Sequence, residues 1–189
     1  LGRALHRLSL DLYSRDTHFV LELVQNADDN AYAAAAVPTL SFVIDDGGIV
    51  CLNNEEGFTE QNVRALCDVG HSTKAETSGY IGQKGIGFKS VFRVTDCPAI
   101  HSGGYHFQFD ASQGNMGYIV PHWLDGPHSL ISDDRLRQLP QSELIRGLLR
   151  DGTCIALPFK RAFDTAALLR NFHEVHESLL LFLNRLQRL

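Results

Sequence analysis

In the segment Phe19-Val20-Leu21-Glu22-Leu23-Val24-Gln25-Asn26-Ala27-Asp28-Asp29-Asn30, an acid, an amide and a second acid follow one another at spacings of four and three. At ~100° per residue, Glu22, Asn26 and Asp29 fall within about 60° of one another on a helix, while Val20, Leu23, Val24 and Ala27 share a different face. One face packs; the other presents side-chain oxygens in a column. Neither Lys nor Arg occurs in the segment, whereas a solvated helical face ordinarily mixes charge signs. A glutamate and an asparagine in such a row suit water activation and Mg²⁺ ligation through oxygen, with phosphates and waters completing the octahedron. A plain solvated face is the alternative.

A second stretch, Gly79-Tyr80-Ile81-Gly82-Gln83-Lys84-Gly85-Ile86-Gly87-Phe88-Lys89-Ser90, spaces its glycines so that backbone can approach a ligand closely. A helix beginning after it would aim free N–H groups at an anion. The spacing is neither that of a dinucleotide-binding fingerprint, because the order is G-x-x-G-x-G after polar residues, nor that of a Walker A loop, because Phe88 separates Gly87 from Lys89. Between Ser72 and Arg93 four cations, Lys74, Lys84, Lys89 and Arg93, outnumber the single acid Glu76. Local positive charge beside a glycine loop favours a phosphate ligand, and a glycine-rich surface loop is the alternative.

These residues need elements to hold them. Leu1, Leu5, Leu8 and Leu12 predict an amphipathic helix, and Ser14, Asp16 and Thr17 offer caps for a second helix over about 17–30. Thr39 to Ile44 and Ile49 to Leu52 flank Asp45-Asp46-Gly47-Gly48 as a β-hairpin, and Ala99 to His101 and Tyr105 to Phe109 flank Ser102-Gly103-Gly104 as another. Helical spacing returns over 59–69, and Phe88 to Val94 reads as a short helix. A strand is expected at Tyr118 to Pro121, a helix-capable stretch over 133–150, and a strand at Thr153 to Leu157. Leu168, Phe172, Val175, Leu179, Phe182, Leu186 and Leu189 continue a four-three alternation, which predicts a final helix packed on the core or, less simply, a short coiled-coil seam.

The chain has 189 residues, 44% of them hydrophobic, which suits one compact domain. With 17 basic and 22 acidic residues the net charge is −5, against a nucleic-acid or membrane-surface binder. No apolar run reaches the ~18 residues a membrane span needs. Cys51, Cys67, Cys97 and Cys154 stand singly and are expected to be reduced thiols. An intracellular piece of a longer protein, cytoplasmic or nuclear, is the expectation. His173 and His176, three apart on the final helix, read as surface residues more readily than as a phosphoacceptor or metal pair.

Taken in order, Glu22-x-x-x-Asn26-x-x-Asp29, Asn53-Asn54-Glu55-Glu56-Gly57-Phe58, Ser72-Thr73-Lys74, Gly82 through Ser90, and Gly152-Thr153 before an apolar strand resemble the GHKL superfamily of Bergerat-fold ATPases. The segments 21–30 and 65–70 are most similar to its sacsin and NO VEIN branch. The resemblance covers roughly 1–110 and 117–160. It implies an α+β fold: a two-layer sandwich whose mixed, mainly antiparallel sheet is covered by helices on one face. It also implies an ATP-binding domain over 1–160, with a lid at about 70–87 and a variable segment at about 111–150, followed by an amphipathic helix over 161–189.

By the same resemblance Glu22 is the general base, Asn26 the protein's Mg²⁺ ligand, and Asp29 a neighbour of the nucleotide. Asn53, Gly57 and Phe58 belong to the adenine loop, Ser72, Thr73 and Lys74 begin the lid, and Thr153 supports the adenine end. Gly82, Gln83, Lys84, Gly85, Ile86, Gly87 and Phe88 wrap the phosphates, with Lys84 or Lys89 adding charge. The resemblance implies Mg²⁺-dependent ATP binding and slow hydrolysis by a chaperone-like module. Protein clients or a homodimer are the partners it allows, with no nucleic acid or membrane. One departure stands out. Where most members place an aspartate to accept from the adenine amino group, this chain has Asn53, a neutral acceptor, and Glu55 stands where a glycine would leave more room. A non-hydrolysing scaffold that keeps the fold is the second reading.

Overall fold

The computed structural model describes residues 18–67, 87–126, 131–161, 163–172 and 177–189. Its centre is a sheet of six strands: β1 (Leu40–Asp45), β2 (Gly48–Asn53), β3 (Ala99–Ser102), β4 (Tyr105–Gln108), β5 (His122–Trp123) and β6 (Thr153–Pro158), in the order β1-β2-β6-β3-β4-β5. Every pair is antiparallel. The two expected hairpins are β1–β2 and β3–β4, and β6 returns between them, with Asn53 opposite Thr153 and Ile100 opposite Ile155.

Alternation along the strands sends Leu40, Ile49, Cys51, Ile155, Leu157, Ile100 and Phe107 to one face. Helix α1 (His18–Asp28) lies on that face through Phe19, Val20, Leu23, Val24 and Ala27, beside the 3₁₀ segment Gly87–Arg93, which adds Phe88, Val91 and Phe92. Helix α2 (Glu60–Cys67) contributes Val63 to the same core.

The opposite face is covered as well. Val43, Val50, Leu52 and Cys154 form a second core with Leu136 and Ile145 of two helices, α3 (Asp133–Gln138) and α4 (Ser142–Asp151). The expectation of helices on one face is therefore corrected: α3 and α4 form a third layer over β2 and β6. The sequence explains why. Residues 42–44, 49–52 and 154–157 carry apolar side chains at successive positions, and β6 is buried from Thr153 through Leu157, as a strand covered on both sides must be. The helix-capable stretch 133–150 is split at Pro140, where Gln141 takes a positive φ of 57°.

Two further expectations are corrected. Tyr118 ends a 3₁₀ segment (Ala111–Tyr118), kinked at Gly114, and the strand lies later at His122–Trp123. The final residues do not continue as one helix: α5 (Thr165–Phe172) is followed by a 3₁₀ turn (Glu177–Phe182) and then by non-helical chain. Leu168 and Leu186 are buried in the α1 core, so the apolar pattern serves packing and no seam is formed over 183–189. The physical reason is Asp28. Its carboxylate accepts from the backbone N–H of Asn184 (2.8 Å), Arg185 (2.7 Å) and Leu186 (2.9 Å), and from the Asn184 amide (3.2 Å). Those N–H groups are thereby diverted from the carbonyls that a helix would offer. Beyond them, Leu40 N–H donates to the Arg188 carbonyl and Gln187 N–H to that of Pro38, so the last residues strap the end of α1 to the start of β1.

Cys51 and Cys154, both buried, lie on opposite faces of the sheet, and the four described cysteines are free thiols. Among the described residues no helix is long and apolar enough to cross a membrane. The first predicted helix, with Leu1 to Leu12, and the lid at about 70–87, apart from Gly87, lie outside the described residues.

Burial alone would raise the Asp28 carboxyl, but the N–H groups of Asn184, Leu186 and Arg185 outweigh it and hold the pKa below the ordinary 3.8. A depressed folded pKa means stability that is fully present above 3.8 and lost as pH falls through and below it. Asp28→Ala should cost about 2–4 kcal/mol in urea unfolding at pH 7. The gap between variant and wild type should narrow progressively as the titrations are repeated below pH 4.

Candidate functional site

Between α1, α2 and the sheet opens a pocket. Its walls are mostly apolar, with Leu23, Leu40, Phe58, Leu66 and Phe88 among them, and its polar groups are few: Asn26, Asn30, Asn53, Glu55 and Asn62. Asn26 reaches it from α1, Asn62 from α2, and Asn53 from the end of β2.

Asn53 is 4% exposed, and its amide is held from one end. Nδ2 donates to the Tyr32 hydroxyl at 2.8 Å and to the Thr39 carbonyl at 2.9 Å, while Oδ1 is buried with no hydrogen-bond partner. An orphaned buried acceptor is costly, and its presence in a pocket wall marks a place for a donor. Glu55 is buried in the same wall, and burial, helped by the negative charge of Glu55, pushes the Tyr32 hydroxyl up to about 12.

The loop after β2 is held open by contacts between backbones. Gly57 has φ +96°, and a Cβ there would lie 3.0 Å from the Cα of Gly103. Gly103, at φ +58°, would set a Cβ 2.6 Å from the Phe58 carbonyl oxygen. Phe58 N–H donates to Ser102 Oγ at 2.9 Å, and Ser102 Oγ is in turn hydrogen-bonded to Thr153 Oγ1. Thr153 is thus buried behind the pocket and acts on it through Ser102 and the Phe58 loop.

Glu22 and Asn26 lie one turn apart on α1, as the spacing predicts. Asn26 lines the pocket; Glu22 faces Gly87, where a Cβ would come within 2.0 Å of its Oε2. Glu22 also approaches His18 at 3.8 Å. The third member of the column does not join them. The helix ends at Asp28, so Asp29 is exposed and does not line the pocket, whereas its neighbour Asp28 is buried against 184–186. Lys89 makes its contacts within the protein. Its ammonium donates to the carbonyls of Leu66 and Tyr118 and lies 4.3 Å from the Phe109 ring centre, tying α2 to the 111–118 segment. Burial pushes it down to about 8.

Of the other predicted residues, Phe88 lines the pocket, while Ser72, Thr73, Lys74, Gly82, Gln83, Lys84, Gly85 and Ile86 lie outside the described residues, as do His173 and His176. Among the described residues no three His, Cys, Asp or Glu side chains gather as a metal site. Asn30, Asn62 and Tyr32 were missed. Nothing in their spacing distinguishes them from surface positions: Asn30 and Tyr32 come from the chain after α1 and Asn62 from α2.

Residues 45–120, from the β1–β2 turn through the pocket loop, α2 and both flanking 3₁₀ segments, match the sacsin domain. Over 99% of its length the chain is 53% identical to Protein NO VEIN of Arabidopsis thaliana, and over half of it 34% identical to sacsin of Homo sapiens. The likeness is to the sacsin and NO VEIN branch. The chain spans 7% of the length of NO VEIN and 2% of that of sacsin. The sacsin-domain match contains Asn53, Gly57 and Phe88 but not α1, whereas the similarity to NO VEIN takes in nearly the whole chain.

Gly103→Ala is expected to destabilise the chain by about 1–3 kcal/mol, because it adds a positive-φ penalty to a backbone clash with Phe58. Thermal unfolding measures that cost, and an enhanced rate of amide exchange at Phe58 should accompany it.

Proposed function

We propose that the chain is a Mg²⁺-dependent ATP-binding module with the Bergerat fold, which hydrolyses ATP slowly and acts, chaperone-like, within a longer protein. The observation that carries this reading is the orphaned Asn53 Oδ1 in an apolar pocket whose wall also holds Asn26, one helical turn from Glu22. An apolar slot with one buried acceptor fits a purine that brings an amino donor. Asn26 and Glu22 fit the polyphosphate end, where the chain at Gly87 comes directly against the Glu22 carboxylate.

In this reading each residue has a distinct task. Asn53 accepts from the base and orients it, while Phe58 and Phe88 exclude water from its faces. Asn26 would give its amide oxygen to Mg²⁺, and the bound ion would supply positive charge against the phosphates. Glu22 orients the attacking water and takes its proton. Gly87 must stay a glycine, since a side chain there would displace the Glu22 carboxylate. Lys89 gives its N–H groups to two carbonyls, which holds its ammonium between α2 and the 111–118 segment. The scaffold reading differs in one measurable respect: it requires neither binding nor turnover.

Glu22→Ala should lower hydrolysis at least about 100-fold, as loss of a general base does, while the Kd for Mg²⁺-ATP stays within about threefold of wild type. Calorimetric titration together with a phosphate-release assay reads both. Absence of binding at millimolar ATP would reject the enzyme reading in favour of the scaffold.

A further inference from the structure

An asparagine can turn either end of its amide toward a ligand, and the two ends select opposite chemistry, since oxygen accepts and nitrogen donates. At Asn53 the neighbours decide. The Thr39 carbonyl, 2.9 Å from Nδ2, can only accept. The Tyr32 hydroxyl, 2.8 Å from Nδ2, has already given its single proton to the Ala27 carbonyl at 2.6 Å, so toward Asn53 it too can only accept. A rotated amide would set Oδ1 against the lone pairs of both and forfeit the two hydrogen bonds that Nδ2 makes. The Tyr32 phenol stays protonated throughout the physiological range, raised by burial and by the nearby Glu55 charge, so this polarity does not reverse.

Resting on the nucleotide reading above, we propose that Tyr32 is a specificity-determining positioning residue. By locking Asn53 with its oxygen as the free end, it makes the pocket select a base edge that donates, a 6-aminopurine, and reject a 6-oxopurine. Tyr32 does not line the pocket and acts only through Asn53. Glu55, buried in the same wall, reinforces the choice, because a ligand carbonyl there would meet an amide oxygen and a carboxylate together. The lock also answers the neutral acceptor noted in the sequence: Asn53 lacks the charge of an aspartate, but its orientation is imposed from outside.

The test uses the 189-residue chain with Mg²⁺ and three probes: ATP, inosine triphosphate, and purine riboside triphosphate, which carries no substituent at position 6. Wild type should bind ATP best, purine riboside triphosphate next and inosine triphosphate least. Tyr32→Phe keeps the ring and removes the hydroxyl. It should cut the preference for ATP over inosine triphosphate about fivefold or more while leaving the affinity for purine riboside triphosphate unchanged. An unchanged preference, or equal weakening of all three as a structural defect would give, overturns the proposal while the ATP reading stands. Should Tyr32→Phe fail to fold, Asn53→Ser, whose hydroxyl donates or accepts freely, should bring the preference toward one; retention of the preference overturns the proposal. Failure of every nucleotide to bind wild type rejects the ATP reading and the selector role with it.

Discussion

The Asp28 carboxylate, buried at the end of α1, accepts from three consecutive backbone N–H groups, and much of the described structure follows from that capture. It ends the helix one residue before Asp29, turns the chain at 184–186, and brings the last residues across Pro38 and Leu40 at the start of β1. Because α1 also carries Glu22 and Asn26, the same interaction sets where those side chains lie relative to the sheet. A helix held only by an apolar face can slide or roll by small amounts; one whose terminal carboxylate is clasped by three N–H donors cannot.

The pocket shows how fixed backbone contacts can serve an adaptable purpose. Gly57 and Gly103 meet without side chains, Ser102 bridges Phe58 and Thr153, and the Tyr32–Asn53–Thr39 chain holds one amide in a single orientation. The Asn53 Oδ1 stands out as a buried acceptor in the pocket wall with no partner. An environment that satisfies its neighbours and leaves one acceptor open is preorganised for a ligand donor, with little reorganisation needed at the moment of binding.

Much of this was legible in the residues. The two hairpins, α1, α2 and β6 follow from apolar spacing and turn chemistry, and the Glu22–Asn26 column survives because both residues lie well inside the helix. The illegible parts share a cause. Asp29 stays outside the pocket because the helix ends at Asp28, whose carboxylate is held by a contact 156 positions away in sequence. The final leucine pattern reads as helix because periodicity registers which residues are buried, not whether their N–H groups find carbonyls of the same helix or the Asp28 carboxylate. Likewise, Lys89 looks like a phosphate ligand from its place beside a glycine loop, and its actual acceptors, Leu66 and Tyr118, are carbonyls that no side-chain pattern reports.

The sequence by itself determined the antiparallel hairpins, the apolar face of α1 and the chemistry available on its other face, because those depend on neighbours within a few residues. Only the tertiary structure decided that helices cover both faces of the sheet, that Asp28 rather than Asp29 is buried, and that the amide of Asn53 points its oxygen free. Each of these turns on hydrogen-bond partners drawn from distant segments, and a partner's direction and burial are properties of the assembled fold rather than of local spacing.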